Sequence, residues 1–305
     1  MTIKEIYVPS CDSIHDLRTK IYIPDTAPVG LFQVVHGMTE HIDRYDPVMT
    51  SLCESGYVVF GHDHLGHKGS VSDDSELGFI ASHNGWDLLC RDVGAVYENV
   101  SAAYPSLPYF LLGHSMGSFV VRLATQKYVT PDRLIVMGTG GPNPLARMGQ
   151  ALIKTIKKAK GERHISSLIY KIALGSYNER FREDGEYGWL TTDAKHREIY
   201  ASDKYCTFKF TVSAMGDLMM LLSESNGKEC TEALAKKQIP ILLISGKCDP
   251  VGNYGKGVRE VYSMLKNAGA RVSLKLYPEY RHEILNDTCA DEVITLIKRF
   301  IGQKA

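Results

Sequence analysis

The sequence predicts an α/β fold in which a mostly parallel central sheet is flanked by helices and interrupted by a helical insertion. Short, nearly continuous apolar runs recur along the chain, which is typical of strands covered on both faces of a sheet. Segments with helical periodicity lie between these runs, and this alternation favours right-handed βαβ units. The rhythm breaks between residues 145 and 228. The 305 residues allow one large unit with an insertion or about two domains.

The predicted strands are rich in apolar and β-branched residues, and most of them end in Gly, Asp or Pro. The first strand lies around Arg18–Ile23, and we expect it to be antiparallel and to form an edge of the sheet. The strands that follow are, in chain order, Leu31–Val35, Tyr57–Phe60, Tyr109–Leu112, Leu134–Met137, Ile241–Ile244 and Val272–Leu276.

The predicted helices carry apolar stripes. Leu89, Val93, Val96, Val100 and Ala103 follow a spacing near 3.6 residues and form one such stripe. Further helices of the core are predicted over Phe119–Tyr128, Gly255–Asn267 and, near the carboxyl terminus, around Val293, Ile297 and Phe300.

The segment 145–228 is predicted to be a helical lid over the carboxyl edge of the sheet. It would be inserted into an α/β core formed by residues 1–144 and 229–305. The segment is rich in Tyr, Met and Lys. Its helices are predicted at Ala151–Lys160, Ser166–Leu174 and Val212–Ser223.

Charge and cysteine content argue against several classes of protein. Lys and Arg together number 35, as do Asp and Glu, so no net field exists to attract nucleic acid. The seven cysteines are odd in number and lack a C-x-x-C spacing, which predicts free thiols and no metal site. The amino terminus has no apolar signal segment, and no apolar run approaches the ~20 residues of a membrane helix. We therefore expect a cytoplasmic protein.

The sharpest motif is G-x-S-x-G over Gly113–Gly117, placed between a predicted strand and a predicted helix. In this context a serine sits on a sharp, strained turn, and the flanking glycines avoid collisions with neighbouring backbone. Ser115 is therefore the candidate nucleophile. The backbone N–H of Met116, at the start of the helix, is a candidate donor to a developing oxyanion.

A serine hydroxyl needs a base that is itself oriented by an acid. Asp249 follows the predicted strand Ile241–Ile244, and His282 follows the strand Val272–Leu276. Both lie where active sites of α/β folds assemble, and the order serine, acid, histidine agrees with the G-x-S-x-G context. A second oxyanion donor is predicted after Leu31–Val35, where Gly37 permits a tight turn and Met38 offers its N–H.

These motifs resemble those of the α/β hydrolases of the monoacylglycerol lipase and lysophospholipase group, also called serine-aminopeptidase-like hydrolases. His36–Tyr45 (HGMTEHIDRY) is similar to the family pattern HG-x-G-E-H-x-x-R-Y, and Gly61–Ser70 (GHDHLGHKGS) resembles the pattern D-x-x-G-H-G-x-S. Tyr277–Glu283 resembles the corresponding segment of bacterial lysophospholipase-like members. The resemblance covers nearly the whole chain and is weakest in the lid.

The resemblance implies an α/β-hydrolase fold, a Ser115–Asp249–His282 triad and an oxyanion hole from the amides of Met38 and Met116. It also suggests that Glu40 and Arg44 shape the polar end of the pocket; the alternative, which we favour slightly, is that the two form a structural ion pair in the first helix. The chain departs from the family pattern at three places: Thr39 and Lys68 replace glycines, and Leu285 replaces a histidine that monoacylglycerol lipases often carry.

The lid offers candidate surfaces for a lipid. Met215 and Met219 belong to a Met-rich helix that either lines an acyl slot or packs into the core. A basic and apolar stretch that includes Lys154, Lys157 and Lys158 either forms a solvated helix face or makes weak peripheral contact with a membrane.

The motifs together predict an enzyme that needs no cofactor and cleaves small carboxylic esters of acyl lipids through an acyl-enzyme intermediate. Two alternatives use the same triad, a general short-chain carboxylesterase and an aminopeptidase. The aminopeptidase needs an acidic anchor for a substrate amine, for which Glu40 is the obvious candidate. A third alternative is a ligand-binding scaffold without turnover.

Overall fold

The computed structural model describes residues 1–144 and 146–302. Within these ranges eight strands form one sheet in the order β1-β2-β4-β3-β5-β6-β7-β8. The strands are β1 (Thr2–Pro9), β2 (Asp16–Ile23), β3 (Gly30–Val35), β4 (Tyr57–His62), β5 (Tyr109–His114), β6 (Arg133–Met137), β7 (Ile241–Gly246) and β8 (Val272–Tyr277). The β1–β2 and β2–β4 pairs are antiparallel, and every other pair is parallel.

The α-helices of the described ranges lie between and after these strands. They are α1 (Asp46–Glu54), α2 (Gly85–Ser101), α3 (Met116–Lys127), α4 (Ala146–Lys160), α5 (Ser167–Leu174), α6 (Ala194–Ser202), α7 (Val212–Ser225), α8 (Lys228–Lys237), α9 (Lys256–Asn267) and α10 (Ala290–Gly302). None of these helices is both long enough and apolar enough to span a lipid bilayer.

Helices cover both faces of the sheet, which explains the continuous apolar runs. Successive strand residues point to opposite faces. Leu31 and Val35 of β3 join a core cluster with α2 and α3, while Phe32 and Val34 join the opposite cluster with α1 and α10. The predicted α/β fold with a mostly parallel, helix-flanked sheet is therefore confirmed.

The edge of the sheet differs from the prediction. The strand predicted at Arg18–Ile23 exists as β2, but it is neither the first strand nor an edge strand. β1 pairs with it and forms the edge. Most of β1 is exposed, so it carries Lys4 and Glu5 instead of the continuous apolar run that marks a strand buried on both faces.

The chain between β6 and β7 contains α4 to α8 and no strand in its described residues. Helix α7 packs against both α3 and α4. The predicted helices at Ala151–Lys160, Ser166–Leu174 and Val212–Ser223 correspond to α4, α5 and α7. The predicted first residue of the insertion, Leu145, and the last three residues of the predicted core, 303–305, lie outside the described residues.

Candidate active site

Ser115 occupies a strained turn between β5 and α3. Its backbone has φ 53° and ψ −119°. Residues other than glycine seldom adopt a positive φ. A Cβ atom at Gly113 would lie 2.2 Å from the carbonyl oxygen of Gly117, and one at Gly117 would lie 2.2 Å from the carbonyl oxygen of Val35. Glycine is therefore required on both sides of Ser115.

Asp249 and His282 form a buried hydrogen-bonded pair beyond β7 and β8. The Oδ2 atom of Asp249 lies 2.9 Å from Nδ1 of His282, and both side chains are almost completely buried. The Oδ1 atom accepts a hydrogen bond of 2.8 Å from the N–H of Val251. The carboxylate is thus held from both sides and fixes the orientation of the imidazole ring.

Ser115 and His282 both lie beside the end of β6. The N–H of Ser115 donates to the carbonyl oxygen of Met137 at 2.9 Å. A Cβ atom on the next residue, Gly138, would lie 3.2 Å from Cε1 of His282. Since β5, β7 and β8 are parallel to β6, their carboxyl ends bring Ser115, Asp249 and His282 to one edge of the sheet.

The loop after β3 passes directly beside this turn. A Cβ atom at Gly37 would lie 2.9 Å from Cβ of Ser115. Met38 follows and is partly buried, while Met116 begins α3 and is fully buried. Met38 thus follows the glycine that approaches Ser115, and Met116 directly follows Ser115 in the chain.

Glu40 holds the β3 loop from within the core. Its Oε1 atom accepts hydrogen bonds from the N–H of Gly37 at 2.5 Å and from the hydroxyl of Tyr45 at 2.9 Å. Arg44 donates to Oε2 of Glu40 at 3.0 Å and makes two hydrogen bonds with Glu283, at 2.7 and 2.6 Å. Glu40 and Arg44 therefore lie in a buried ionic network that joins the β3 loop to the residue after His282.

His114 connects this network to the candidate catalytic pair. Its Nδ1 atom lies 3.1 Å from Oε1 of Glu40, and its Nε2 atom lies 3.3 Å from the carbonyl oxygen of His282. Burial alone would lower the pKa of His114, but the hydrogen bond and charge of Glu40 outweigh it and raise that pKa. Burial would raise the pKa of Glu40, yet His114 and Arg44 hold it below its ordinary value.

The methionines of α7 have different surroundings. Met215 is buried in the core cluster that lies under α2 and α3. Met219 is only partly buried and packs against that cluster. A Cβ atom at Gly140, two residues beyond Gly138, would lie 3.3 Å from Cδ1 of Leu222 on the same helix. The partly buried side chain of Leu222 thus lies near the end of β6.

Sequence reasoning missed the residues that surround His282. The ring of Trp189, from the insertion, lies 5.2 Å from the imidazole of His282, and the ring of His114 lies 4.7 Å from it. His114 is the variable second residue of the G-x-S-x-G motif, so its place beside Ser115 was visible in the sequence. Trp189 belongs to no motif, and no sequence signal connects it to His282.

The fold defines the class of an α/β hydrolase. A family model described as "Serine aminopeptidase, S33" matches residues 26–289, and the chain belongs to this family. Within it, the protein is a carboxylic ester hydrolase of the monoglyceride lipase type.

Two curated relatives illustrate the similarity. The chain is 28% identical to the monoglyceride lipase of Homo sapiens over 242 residues, which cover 78% of this chain and 72% of the human protein. It is 25% identical to the monoglyceride lipase homolog of Monkeypox virus over 274 residues, which cover 90% and 88% of the two chains.

Solved structures agree with this placement. A highly thermostable carboxyl esterase from Bacillus coagulans, solved in complex with glycerol, has 30% sequence identity and a TM-score of 0.92 over 99% of this chain and 98% of the esterase. A soluble variant of monoglyceride lipase from Saccharomyces cerevisiae has a TM-score of 0.76 at 18% identity over 99% and 94% of the two chains, and shows the same fold.

Proposed function

We propose that the protein hydrolyses carboxylic esters of acyl lipids, of monoacylglycerol or lysophospholipid type, through an acyl-enzyme intermediate. The observation that carries this proposal is the buried Asp249–His282 pair at 2.9 Å beside a strained, partly exposed Ser115. The monoglyceride lipases among the relatives support the lipid substrate.

In the proposed mechanism Ser115 Oγ attacks the ester carbonyl while His282 Nε2 takes the hydroxyl proton. Asp249 holds the ring proton on Nδ1 and stabilises the imidazolium that forms. The N–H groups of Met38 and Met116 donate to the oxyanion. His282 then passes the proton to the leaving alcohol, and a water molecule activated by the same histidine releases the acid from Ser115.

The acyl chain is proposed to lie along α7 beneath a lid formed by residues 145–228. Met219 and Leu222 are partly buried on this helix, and Leu222 lies close to the end of β6 beside the site. Because Met215 is buried in the core, its role would be to support this slot from behind. Flexible methionine side chains suit a slot for acyl chains of varied shape.

Ester hydrolysis is favoured over aminopeptidase activity by the surroundings of Glu40. An amine anchor must present an unpaired carboxylate to the substrate. Both carboxylate oxygens of Glu40 already accept hydrogen bonds inside the protein, and the side chain is buried. Glu40 and Arg44 are therefore proposed to support the β3 loop and to shape the site indirectly.

The catalytic assignment predicts the effect of Ser115→Ala. The loss of the nucleophile should lower kcat by about 10³-fold or more. Turnover of a nitrophenyl ester and labelling by a fluorophosphonate measure it, with Ser273→Ala on the exposed edge strand β8 as the control. Wild-type turnover by Ser115→Ala would refute the assignment, and an inert, unlabelled wild type would support a binding scaffold without turnover.

The substrate class is tested by a turnover profile over nitrophenyl esters of increasing chain length, followed by monoolein and lysophosphatidylcholine. The proposal expects kcat/KM to be maintained or to rise toward medium and long acyl chains, because the α7 slot gains apolar contact. A sharp preference for the shortest esters would instead favour a general carboxylesterase.

Weak peripheral contact with an anionic membrane is proposed for the insertion. Lys154 and Lys158 of α4 are exposed, and Leu168 and Ile172 of α5 are exposed apolar residues. Lys157 is less available, because its amino group donates to the carbonyl oxygen of Ser82 and, at 3.1 Å, to the hydroxyl of Ser213.

Lys154→Glu combined with Lys158→Glu should reduce the fraction of protein that co-sediments with vesicles containing phosphatidylserine. Each lysine near such a surface contributes about 1 kcal/mol to the free energy of binding. Vesicles of phosphatidylcholine alone serve as the control. Equal sedimentation of the variant and the wild type with the anionic vesicles would exclude this contact.

A further inference from the structure

Three side chains outside the candidate catalytic set form a cluster of metal-ligand type. They are His41, Asp203 and Cys206, and each offers one ligand atom such that all three atoms lie within 4.8 Å of one another. The Nε2 atom of His41 lies 2.8 Å from Oδ2 of Asp203 across a sequence separation of 162 residues. The cluster therefore joins the β3 loop to the segment between α6 and α7.

The donor set points to one kind of ion. An imidazole, a thiolate and a carboxylate together form a common ligand set for Zn²⁺, whereas Mg²⁺ and Ca²⁺ prefer sites made of oxygen alone. Zn²⁺ in sites with three protein ligands takes a water molecule as the fourth. His41 and Cys206 are buried, but the side chain of Asp203 is 29% exposed and leaves an entry for the ion and its water.

The outer contacts of His41 suit a metal ligand. When Nε2 binds an ion, the ring proton must sit on Nδ1, and Nδ1 lies 3.5 Å from Oδ2 of Asp43. A carboxylate that accepts this proton at hydrogen-bond distance would orient a metal-bound histidine and raise its basicity. The positive charge of Lys68 disfavours a cation here, since its Nζ atom lies 3.4 Å from Nδ1 of His41. That charge is paired with Oδ2 of Asp43 at 2.6 Å.

We propose that His41, Asp203 and Cys206 form a Zn²⁺-binding site that ties the β3 loop to the insertion. The ion would bind Nε2 of His41, a carboxylate oxygen of Asp203 and the sulfur of Cys206, which loses its thiol proton to solvent. This site goes beyond the proposed ester hydrolysis and is separate from Ser115, Asp249 and His282. It differs from the expectation, drawn from cysteine spacing, that the chain holds no metal.

The site lies on the loop that carries a proposed oxyanion donor. His41 lies three residues after Met38, whose N–H is the proposed oxyanion donor. The same stretch already contacts the insertion, because the hydroxyl of Tyr200 donates to the carbonyl oxygen of Thr39 at 3.0 Å. Zn²⁺ would replace the hydrogen bond between His41 and Asp203 with a metal-mediated link between the same two segments.

Cobalt titration of the full chain tests the site directly, because Co²⁺ substitutes for Zn²⁺ and a cobalt–thiolate bond gives a near-ultraviolet charge-transfer band. The wild type should develop this band with one equivalent of Co²⁺ and lose it when Zn²⁺ is added. Cys206→Ser should lose the band, while Cys11→Ser, which removes a partly exposed thiol elsewhere, should keep it. Absence of the band in the wild type, or its persistence in Cys206→Ser, would overturn the proposal.

Asp203→Asn provides a second variant that does not remove a buried side chain. Its amide retains the size of the carboxylate but binds Zn²⁺ weakly, so calorimetry with Zn²⁺ should give a weaker Kd by about tenfold or more. An unchanged Kd in this variant would contradict the site. These measurements use no substrate, so their failure is distinguishable from failure of the proposed ester hydrolysis.

Discussion

Two residues of the motif loops adopt backbone conformations that explain the family pattern around them. Thr39 has φ 49° and Lys68 has φ 26°, and these are the two positions at which the family pattern carries glycine. Residues with a Cβ atom adopt such angles only when surrounding contacts hold them there. Thr39 is held by Tyr200, which donates to its carbonyl oxygen, and Lys68 by its ion pair with Asp43.

At the same scale, the Glu40–His114 pair predicts that Glu40→Gln lowers the free energy of unfolding by an amount that depends on pH. The lowered pKa of Glu40 and the raised pKa of His114 mean that the pair stabilises the fold between those two pKa values. Stability from the pair is lost as pH falls through the lowered carboxyl pKa, and as pH rises through the raised imidazole pKa.

Glu40→Gln leaves a buried imidazolium without its anion and should cost about 3 kcal/mol of unfolding free energy near pH 6, with a smaller cost near pH 9. Urea unfolding at both pH values measures it. The double variant with His114→Asn is the control, because it should remove most of the pH dependence. Equal costs of Glu40→Gln at the two pH values would show that the pair is not ionic.

At the scale of the element, helices α2 and α7 meet through one buried carboxylate. Asp217 of α7 accepts a hydrogen bond of 3.0 Å from the N–H of Trp86 in the first turn of α2. Burial raises the pKa of Asp217 to about 7. Between the ordinary carboxyl pKa of about 3.9 and this value, the folded state binds more protons than the unfolded state, so stability falls as pH rises through that window.

Asp217→Asn should therefore be more stable than the wild type near pH 8 and equal to it near pH 4, because the amide stays neutral and can still accept from Trp86. Thermal unfolding at the two pH values measures the difference in Tm. Asp74→Asn, at an exposed position, is the matched control and should follow the wild type. A lower Tm for Asp217→Asn at the higher pH would contradict the burial argument.

At the scale of the whole molecule, the insertion forms hydrogen bonds with the loop that carries His282. Arg281 donates to the carbonyl oxygen of Gly188 and, at 2.6 Å, to Asp184. The N–H of Glu283 donates to the carbonyl oxygen of Leu190 at 2.7 Å. The residues on both sides of His282 are thus fixed by one short part of the insertion, so this part is expected to influence catalysis by positioning His282.

Arg281→Ala should lower kcat by about tenfold, since a small misplacement of a catalytic group is costly. It should also speed limited proteolysis of the insertion, because two of its anchors to the core are gone. Ester turnover and digestion time courses measure the two effects. Lys204→Ala is the control within the insertion, because its exposed ion pair with Asp74 contributes little. Unchanged turnover by Arg281→Ala would show that the contacts of Arg281 with the insertion do not affect catalysis.

The sequence by itself determined the features that depend on neighbouring residues and on periodic burial. The glycines around Ser115, the strand ends that carry Asp249 and His282, and the α/β alternation all follow from backbone sterics and from burial on two faces. An exposed edge strand leaves no such pattern, which is why β1 went unpredicted.

Only the tertiary structure decided which distant residues meet. Trp189 against His282, Glu40 beside His114 and His41 beside Asp203 join segments that packing alone brings together. Side-chain direction and partner identity across such distances depend on how helices and loops pack on the sheet, and a single sequence records no periodicity for them.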